Sequence, residues 1–185
     1  CSVFRISPDG SRQTILHKFN VSDGAFPRGS LIQATNNALY GMTSSGGSTG
    51  SGTIFRINTD GSNFRVLHNF NGADGHVPQG SLLQASNGVL YGMTLAGGSG
   101  DNGVLFKINM DGSGFKVLRY FTAMYERLNY GSLMQGADGF LYGAANGGNS
   151  AEPGSIFKIK MDGTSYTTLH KFSVYKDGAP VGALV

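Results

Sequence analysis

The chain returns to the same letters every 51 residues. Gly29, Gly80, Gly131 and Gly182 keep that step, as do Tyr40, Tyr91 and Tyr142, and Phe4, Phe55, Phe106 and Phe157. Asp-Gly pairs recur with it at Asp9, Asp60, Asp111 and Asp162. A fixed period of this size means that each unit is one supersecondary motif. Such a motif cannot bury its apolar surface alone and does so against its neighbours. The residues divide into a partial unit 1–28, units 29–79, 80–130 and 131–181, and the opening of a further unit at 182–185.

Within a unit the pattern is that of strands. In the first full copy, residues 30–34, 38–43, 53–58 and 63–70 alternate apolar and polar side chains between turn residues. The partial unit supplies 2–6 and 13–19 as its two strands. Asp60-Gly61 and Asn87-Gly88 are tight-turn pairs, because glycine and its short polar partner tolerate the left-handed backbone that a hairpin needs. No stretch carries helical spacing over a useful length. Four short antiparallel strands per unit, repeated in series, predict an all-β chain: a β-propeller, or an open arc of propeller blades. On this reading Leu39, Phe55, Ile57, Val66 and Leu67 pack between blades, and Tyr40 and Phe70 fill wider gaps near the rim.

The strand types are unequal in number. Third and fourth strands occur in four copies, and the Leu-Tyr-Gly second strand in three. A ring therefore needs completion, by a longer polypeptide or by another chain, and the first is favoured.

Charge and cysteine content narrow the partners. The net charge is +3, and the cations are spread one or two to a strand. A nucleic-acid surface would gather them on one face, so none is expected. No apolar run is long enough to cross a membrane as a helix. Cys1 is the only cysteine, so no internal disulfide forms. It reads either as a lipid-anchored surface residue or as a strand-edge residue at the repeat position of Gly52 and Gly103.

Candidate site residues come from three places. His17, His68 and His170 share one repeat position, with Arg119 in the remaining copy. They are expected at outer strand edges, bonding a neighbouring backbone, too far apart to hold a metal together. Gln33, Gln84 and Gln135 end the innermost strands and are candidates to line a channel mouth and bind a polar ligand. The loop 122–130 departs most from its equivalents. It has lost their Asp-Gly and proline and gained Tyr125, Glu126, Arg127 and Tyr130, side chains suited to stacking on and hydrogen-bonding a sugar or peptide. No nucleotide, metal or cofactor motif appears, so no cofactor is expected.

Taken together, the motifs are G-S-L-[ILM]-Q, L-Y-G-M-T, Gly-Gly, [IL]-F-[RK]-I, D-G-S and L-H-x-F. In this combination the chain resembles the GloVer tandem repeat of bacterial exported proteins over essentially its whole length. The resemblance implies a secreted or surface-located, propeller-like array, and it brings no assigned catalytic residues. A looser architectural similarity is to kelch repeats, although the chain has no tryptophan. The expected function is a noncatalytic surface or extracellular binding or scaffold module contacting protein or polysaccharide. One alternative is a glycan hydrolase or lyase with a site at the channel mouth, which would need a carboxylate pair such as Glu126 and Glu152 across a cleft. Another is a structural subunit of a larger assembly.

Overall fold

A computed structural model describes residues 1–122, 131–147, 154–173 and 184. Fourteen strands run in order: β1 (Ser2–Ile6), β2 (Gln13–Lys18), β3 (Ile32–Gln33), β4 (Leu39–Thr43), β5 (Thr53–Ile57), β6 (Arg65–Asn69), β7 (Leu83–Gln84), β8 (Leu90–Met93), β9 (Val104–Ile108), β10 (Lys116–Tyr120), β11 (Met134–Gln135), β12 (Leu141–Ala145), β13 (Ser155–Ile159) and β14 (Thr167–Lys171). They form three four-stranded antiparallel meanders, β3 to β6, β7 to β10 and β11 to β14, and one two-stranded hairpin, β1–β2. These are propeller blades in an open arc. Among the described residues no strand pairing joins the last blade to the hairpin.

The innermost strands are shorter than the sequence suggests. Residues 30–34 reduce to Ile32–Gln33. The cause is a bond that leaves the blade: the Ser30 amide donates to Ser81 Oγ of the next blade at 2.9 Å, and the Ser81 amide to Ser132 Oγ at 2.9 Å. In the first two full blades the start of the inner strand is spent on its neighbour rather than on its own ladder.

A bulge recurs between the two outer strands of every blade. In the first full blade Ile54 faces His68 and Phe55 faces Val66, so Leu67 is the extra residue. Leu16, Leu118 and Leu169 are extra in the same way. A bulge turns its residue out of the ladder, and here it turns toward the following blade. A side chain added at the turn glycines Gly61, Gly112 and Gly163 would meet Leu16, Leu67 and Leu118 respectively. The expected turn geometry is present as well: Gly61 has φ 90° and donates to the Asn58 carbonyl at 3.0 Å.

The core lies between blades. One cluster joins Tyr40, Met42, Ile54 and Phe70 to Leu82, Leu90, Phe106 and Ile108 of the next blade. A second repeats it with Tyr91, Met93, Leu105 and Phe121 against Leu133, Leu141, Phe157 and Ile159. A third packs Val3 and Phe19 of the hairpin on Phe55 and Ile57. Tyr40 and Phe70 are therefore not rim fillers but fully buried members of the blade interface. Val66 is half-buried and lies outside these clusters. Tyr40 also carries a polar tie: its hydroxyl accepts from Asn36 Nδ2 at 2.8 Å and donates to the Met110 carbonyl of the next blade at 3.1 Å. Tyr91 does the same with Asn87 and Met161.

Candidate ligand site at the blade axis

The inner strands meet where glycine opens each copy. A Cβ placed on Gly29 would fall 2.1 Å from the Gly80 carbonyl oxygen, so a side chain is excluded and the two backbones abut. Around this contact lies a cavity of about 470 Å³, lined by Arg28, Gly29, Ser30, Gln79, Gly80, Ser81 and Ser132. The residues are repeats of one another: Arg28 matches Gln79, and the three serines share a position. An arc of equivalent inner strands thus turns one repeat position into a convergent site.

The chemistry of this cavity is polar. Ser81 and Ser132 each accept an amide N–H on the hydroxyl oxygen, which leaves the hydroxyl proton to donate elsewhere. Gln79 Oε1 is buried and has no hydrogen-bond partner among the described residues. Buried acceptors are normally satisfied, so this oxygen calls for a donor that the described residues do not supply. Arg28 is exposed at the edge and is the one ionic side chain of the lining. No carboxylate or histidine lines the cavity among the described residues. No cluster of metal-ligating side chains occurs among the described residues.

Two of the three glutamines are engaged between blades. Gln84 Oε1 accepts from the Thr35 amide at 2.9 Å while its Nε2 donates to Thr35 Oγ1 at 3.0 Å. Gln135 repeats this on Ser86, at 2.8 and 2.9 Å. Each amide clasps the turn of the preceding blade with both of its ends. Gln33 is exposed. All three end the inner strand at the opposite end from the glycine cavity. Tyr125, Glu126, Arg127, Tyr130 and Glu152 lie outside the described residues.

The histidines make a contact that differs from the one expected. Instead of a neighbouring backbone, His17 Nε2 pairs with Asp23 Oδ2 and His68 Nε2 with Asp74 Oδ2, both at 3.1 Å. Each ring also stacks on an aromatic ring of the next blade, His17 on Phe64 at 3.6 Å and His68 on Phe115 at 3.7 Å between centroids. Burial holds the His68 imidazole below its ordinary pKa, against the opposing pull of Asp74. The neutral ring therefore donates its Nε2 proton to the carboxylate. The signal was present in the sequence as an aspartate six residues after each of these histidines.

The model of a family described as the Gloeobacter/Verrucomicrobia repeat matches residues 1–185. Among solved structures, the chain is similar to a chain of a nidogen/laminin complex, with TM-score 0.63 and 17% identity over 92% of this chain and 55% of that one. It is similar to TolB from Acinetobacter baumannii, with TM-score 0.54 and 10% identity over 91% of this chain and 37% of that one. It is also similar to a gluconolactonase from Xanthomonas campestris, with TM-score 0.50 and 15% identity over 82% and 50%. The chain thus spans about half the length of these structures or less, and identities this low carry the fold alone. No protein of curated function matches it in sequence.

Proposed function

We propose, for a chain that belongs to the Gloeobacter/Verrucomicrobia repeat family, a noncatalytic binding module of the β-propeller type that takes a polysaccharide at the cavity on the blade axis. The observation that carries the reading is the buried Gln79 Oε1, without a partner among the described residues, beside the Ser81 and Ser132 hydroxyls and the Arg28 guanidinium. A row of hydroxyl donors, one amide acceptor and one cation suits a hydroxyl-rich chain bearing carboxylates, such as an acidic polysaccharide. Export to the cell surface, where such polymers are met, is part of the proposal and is supported by the resemblance to exported repeat proteins.

The divergent loop belongs to the same reading. Tyr130 shares the repeat position of Arg28 and Gln79. Tyr125, Glu126, Arg127 and Tyr130 are proposed to extend the ligand contacts beyond the cavity, the tyrosines by stacking on sugar rings. Gln33 is proposed as a polar contact at the opposite mouth, with Gln84 and Gln135 shaping that mouth through their hold on the adjoining turns.

Titration calorimetry with uronic-acid oligosaccharides tests the proposal. Binding is expected for the native chain. Arg28→Ala and Gln79→Leu should each weaken it about tenfold without altering the melting profile. Absence of binding to acidic and neutral oligosaccharides alike, or equal binding by both variants, overturns it.

A further inference from the structure

The first two full blades carry charge that their own ladders disfavour. Arg56 of β5 stands directly opposite Arg65 of β6, and Lys107 of β9 directly opposite Lys116 of β10. Directly opposed side chains share a face of the sheet, and like charges there repel. The flanking sheets avoid this: Arg5 is opposed by Thr14, and Lys158 by Thr167. Threonine therefore suits the fold at this position, and the second cation needs another reason.

A further difference runs in the same direction. In the last blade Lys158 has a carboxylate near it, Asp138 Oδ2 at 3.8 Å. The repeat position of Asp138 is held by Asn36 and Asn87 in the two preceding blades. Those blades thus lack the acid and gain a cation. Among the described residues no carboxylate forms an ion pair with Arg56, Arg65, Lys107 or Lys116.

Arg56 and Arg65 both open on a cavity of about 270 Å³ between these two blades, which they share with Asn36 and, across the gap, Asp111. Arg56 is half-buried and oriented by a bond from Nη2 to Asn58 Oδ1 at 2.9 Å, whereas Arg65 is exposed. Asn36 spends one amide proton on Tyr40 and keeps the other. Asp111 is the one acid of the lining, and the Ser113 amide and hydroxyl hold its Oδ1 at 2.9 and 2.7 Å. Two guanidiniums against one carboxylate leave a single positive charge. The cavity lies at the Asp-Gly turn end of the blades, away from the glycine cavity on the axis. One repeat further on, Asn87, Lys107, Lys116 and Asp162 hold the same positions.

We propose that this face binds sulfate ester groups of a polysaccharide, one at the pair Arg56 and Arg65 and a second at the pair Lys107 and Lys116. Oxygen count and charge together select sulfate. A carboxylate or a phosphodiester offers two terminal oxygens, which one guanidinium fork satisfies. Two guanidiniums and an amide call for three. A sulfate ester has three terminal oxygens and one negative charge, which matches the net charge of the lining. A phosphate monoester carries a charge of about −2 at neutral pH and turns the excess on Asp111. Recurrence at the next blade suits a polymer that bears such groups in series. The bound anion also relieves the repulsion that each opposed pair retains when free.

Calorimetry with dextran sulfate oligosaccharides, and with unsulfated dextran beside them, tests the inference on the whole chain. Saturable binding of the sulfated form is expected, weakened by added salt, with none of the unsulfated form. Arg65→Thr and Lys116→Thr install the residue of the flanking sheets and should each lower the affinity about fivefold. Lys18→Gln removes an exposed cation from the hairpin β1–β2 and should leave the affinity unchanged. Arg28→Ala and Gln79→Leu should leave it unchanged too, so that this site and the axial cavity stand or fall separately. At low salt Arg65→Thr should melt no lower than the native chain, because it removes a repulsion. A lower midpoint shows that the pair serves the fold and overturns the inference. So does equal affinity for dextran and dextran sulfate, native affinity in Arg65→Thr and Lys116→Thr, or an equal loss in Lys18→Gln or in the axial variants.

Discussion

Arg119 lies over the ring of Tyr166 in the next blade, its guanidinium carbon 3.5 Å from the ring centroid. The pair stands at the register where His17 stacks on Phe64 and His68 on Phe115. Three successive blade interfaces thus close on a planar cationic or imidazole group laid flat on an aromatic ring. The two members lie on different blades, so the stack is a clasp and not an intrablade contact. The change from histidine to arginine falls in the one full copy whose following loop lacks the recurring Asp-Gly. A guanidinium keeps its charge and lays a flat face on the ring.

Removal of this clasp should be measurable. Arg119→Ala is expected to cost about 1–2 kcal/mol through lost cation–π and packing contacts, seen as a lower denaturation midpoint. Arg119→Lys keeps the charge but not the flat face and should recover only part of the loss. An alanine variant with native stability would show that the stack contributes nothing.

The His68–Asp74 pair predicts a pH dependence with a definite sign. Burial lowers the native-state pKa of His68, so the fold favours the neutral ring. The contribution of this group is fully present above the unfolded value near 6.5 and is lost as pH falls through the depressed native value. Urea midpoints of the native chain should therefore drop between pH 8 and pH 5 more than those of His68→Gln. Parallel profiles for the two proteins would remove His68 as the cause.

The turn aspartates titrate in another window. Hydrogen bonds from Ser62 hold the Asp60 carboxylate below its ordinary range, and those from Ser113 do the same for Asp111. Asp9, bonded first by the Ser7 hydroxyl and then by Ser11, is lowered to about 2. Lowered carboxylate pKa values give a contribution present above about 3.9 that fades as pH falls through the native values. Carboxyl chemical shifts followed by NMR should place these residues at the acid end of all the aspartates. Asp111→Asn should flatten the acid limb of the stability curve, and an unchanged limb would count against the turn as its origin.

Gly92 gives a prediction about packing. Its Cβ would sit 2.5 Å from Phe106 Cζ and 3.0 Å from Leu82 Cδ2. Its backbone is not in the left-handed region, so an alanine there is opposed by crowding and not by conformation. Gly92→Ala should destabilise by about 1–3 kcal/mol. Phe106→Leu in the same chain should return part of that loss, because it shortens the ring that the methyl group meets. A double-mutant cycle reads this coupling directly, and additive effects would refute the contact as the cause.

Much of the fold is legible in the spacing of particular residues. Phe55 and Phe106 recur at inward positions of third strands and are fully buried between blades. Asp60-Gly61 reads as a hairpin turn and forms one. What spacing does not reveal is where a polar tip finds its partner. Tyr40 repeats with Tyr91, yet nothing local shows that its hydroxyl reaches a carbonyl 70 residues away. Gln84 reads as a candidate ligand contact at the end of a strand, but both of its ends close on Thr35 because the preceding blade brings that turn alongside. The axial cavity was hidden for the same reason. Arg28, Gln79 and the three serines are ordinary residues in sequence, and only the convergence of the inner strands makes them neighbours. Read singly, Gly29 marks the start of a unit and gives no hint that its missing side chain admits a second backbone.

The bond from Tyr40 to the Met110 carbonyl has a consequence for how such a chain can change over generations. Each copy holds one half of the bond in its second strand and the matching acceptor for its predecessor near its turn. Duplication or loss of a whole unit of 51 residues therefore leaves every junction chemically intact. A new copy meets its predecessor with the right carbonyl and its successor with the right hydroxyl. Insertion of any other length between a donor and its acceptor leaves an incomplete unit at that junction. The length of the array is free to drift in whole steps, while its phase is not.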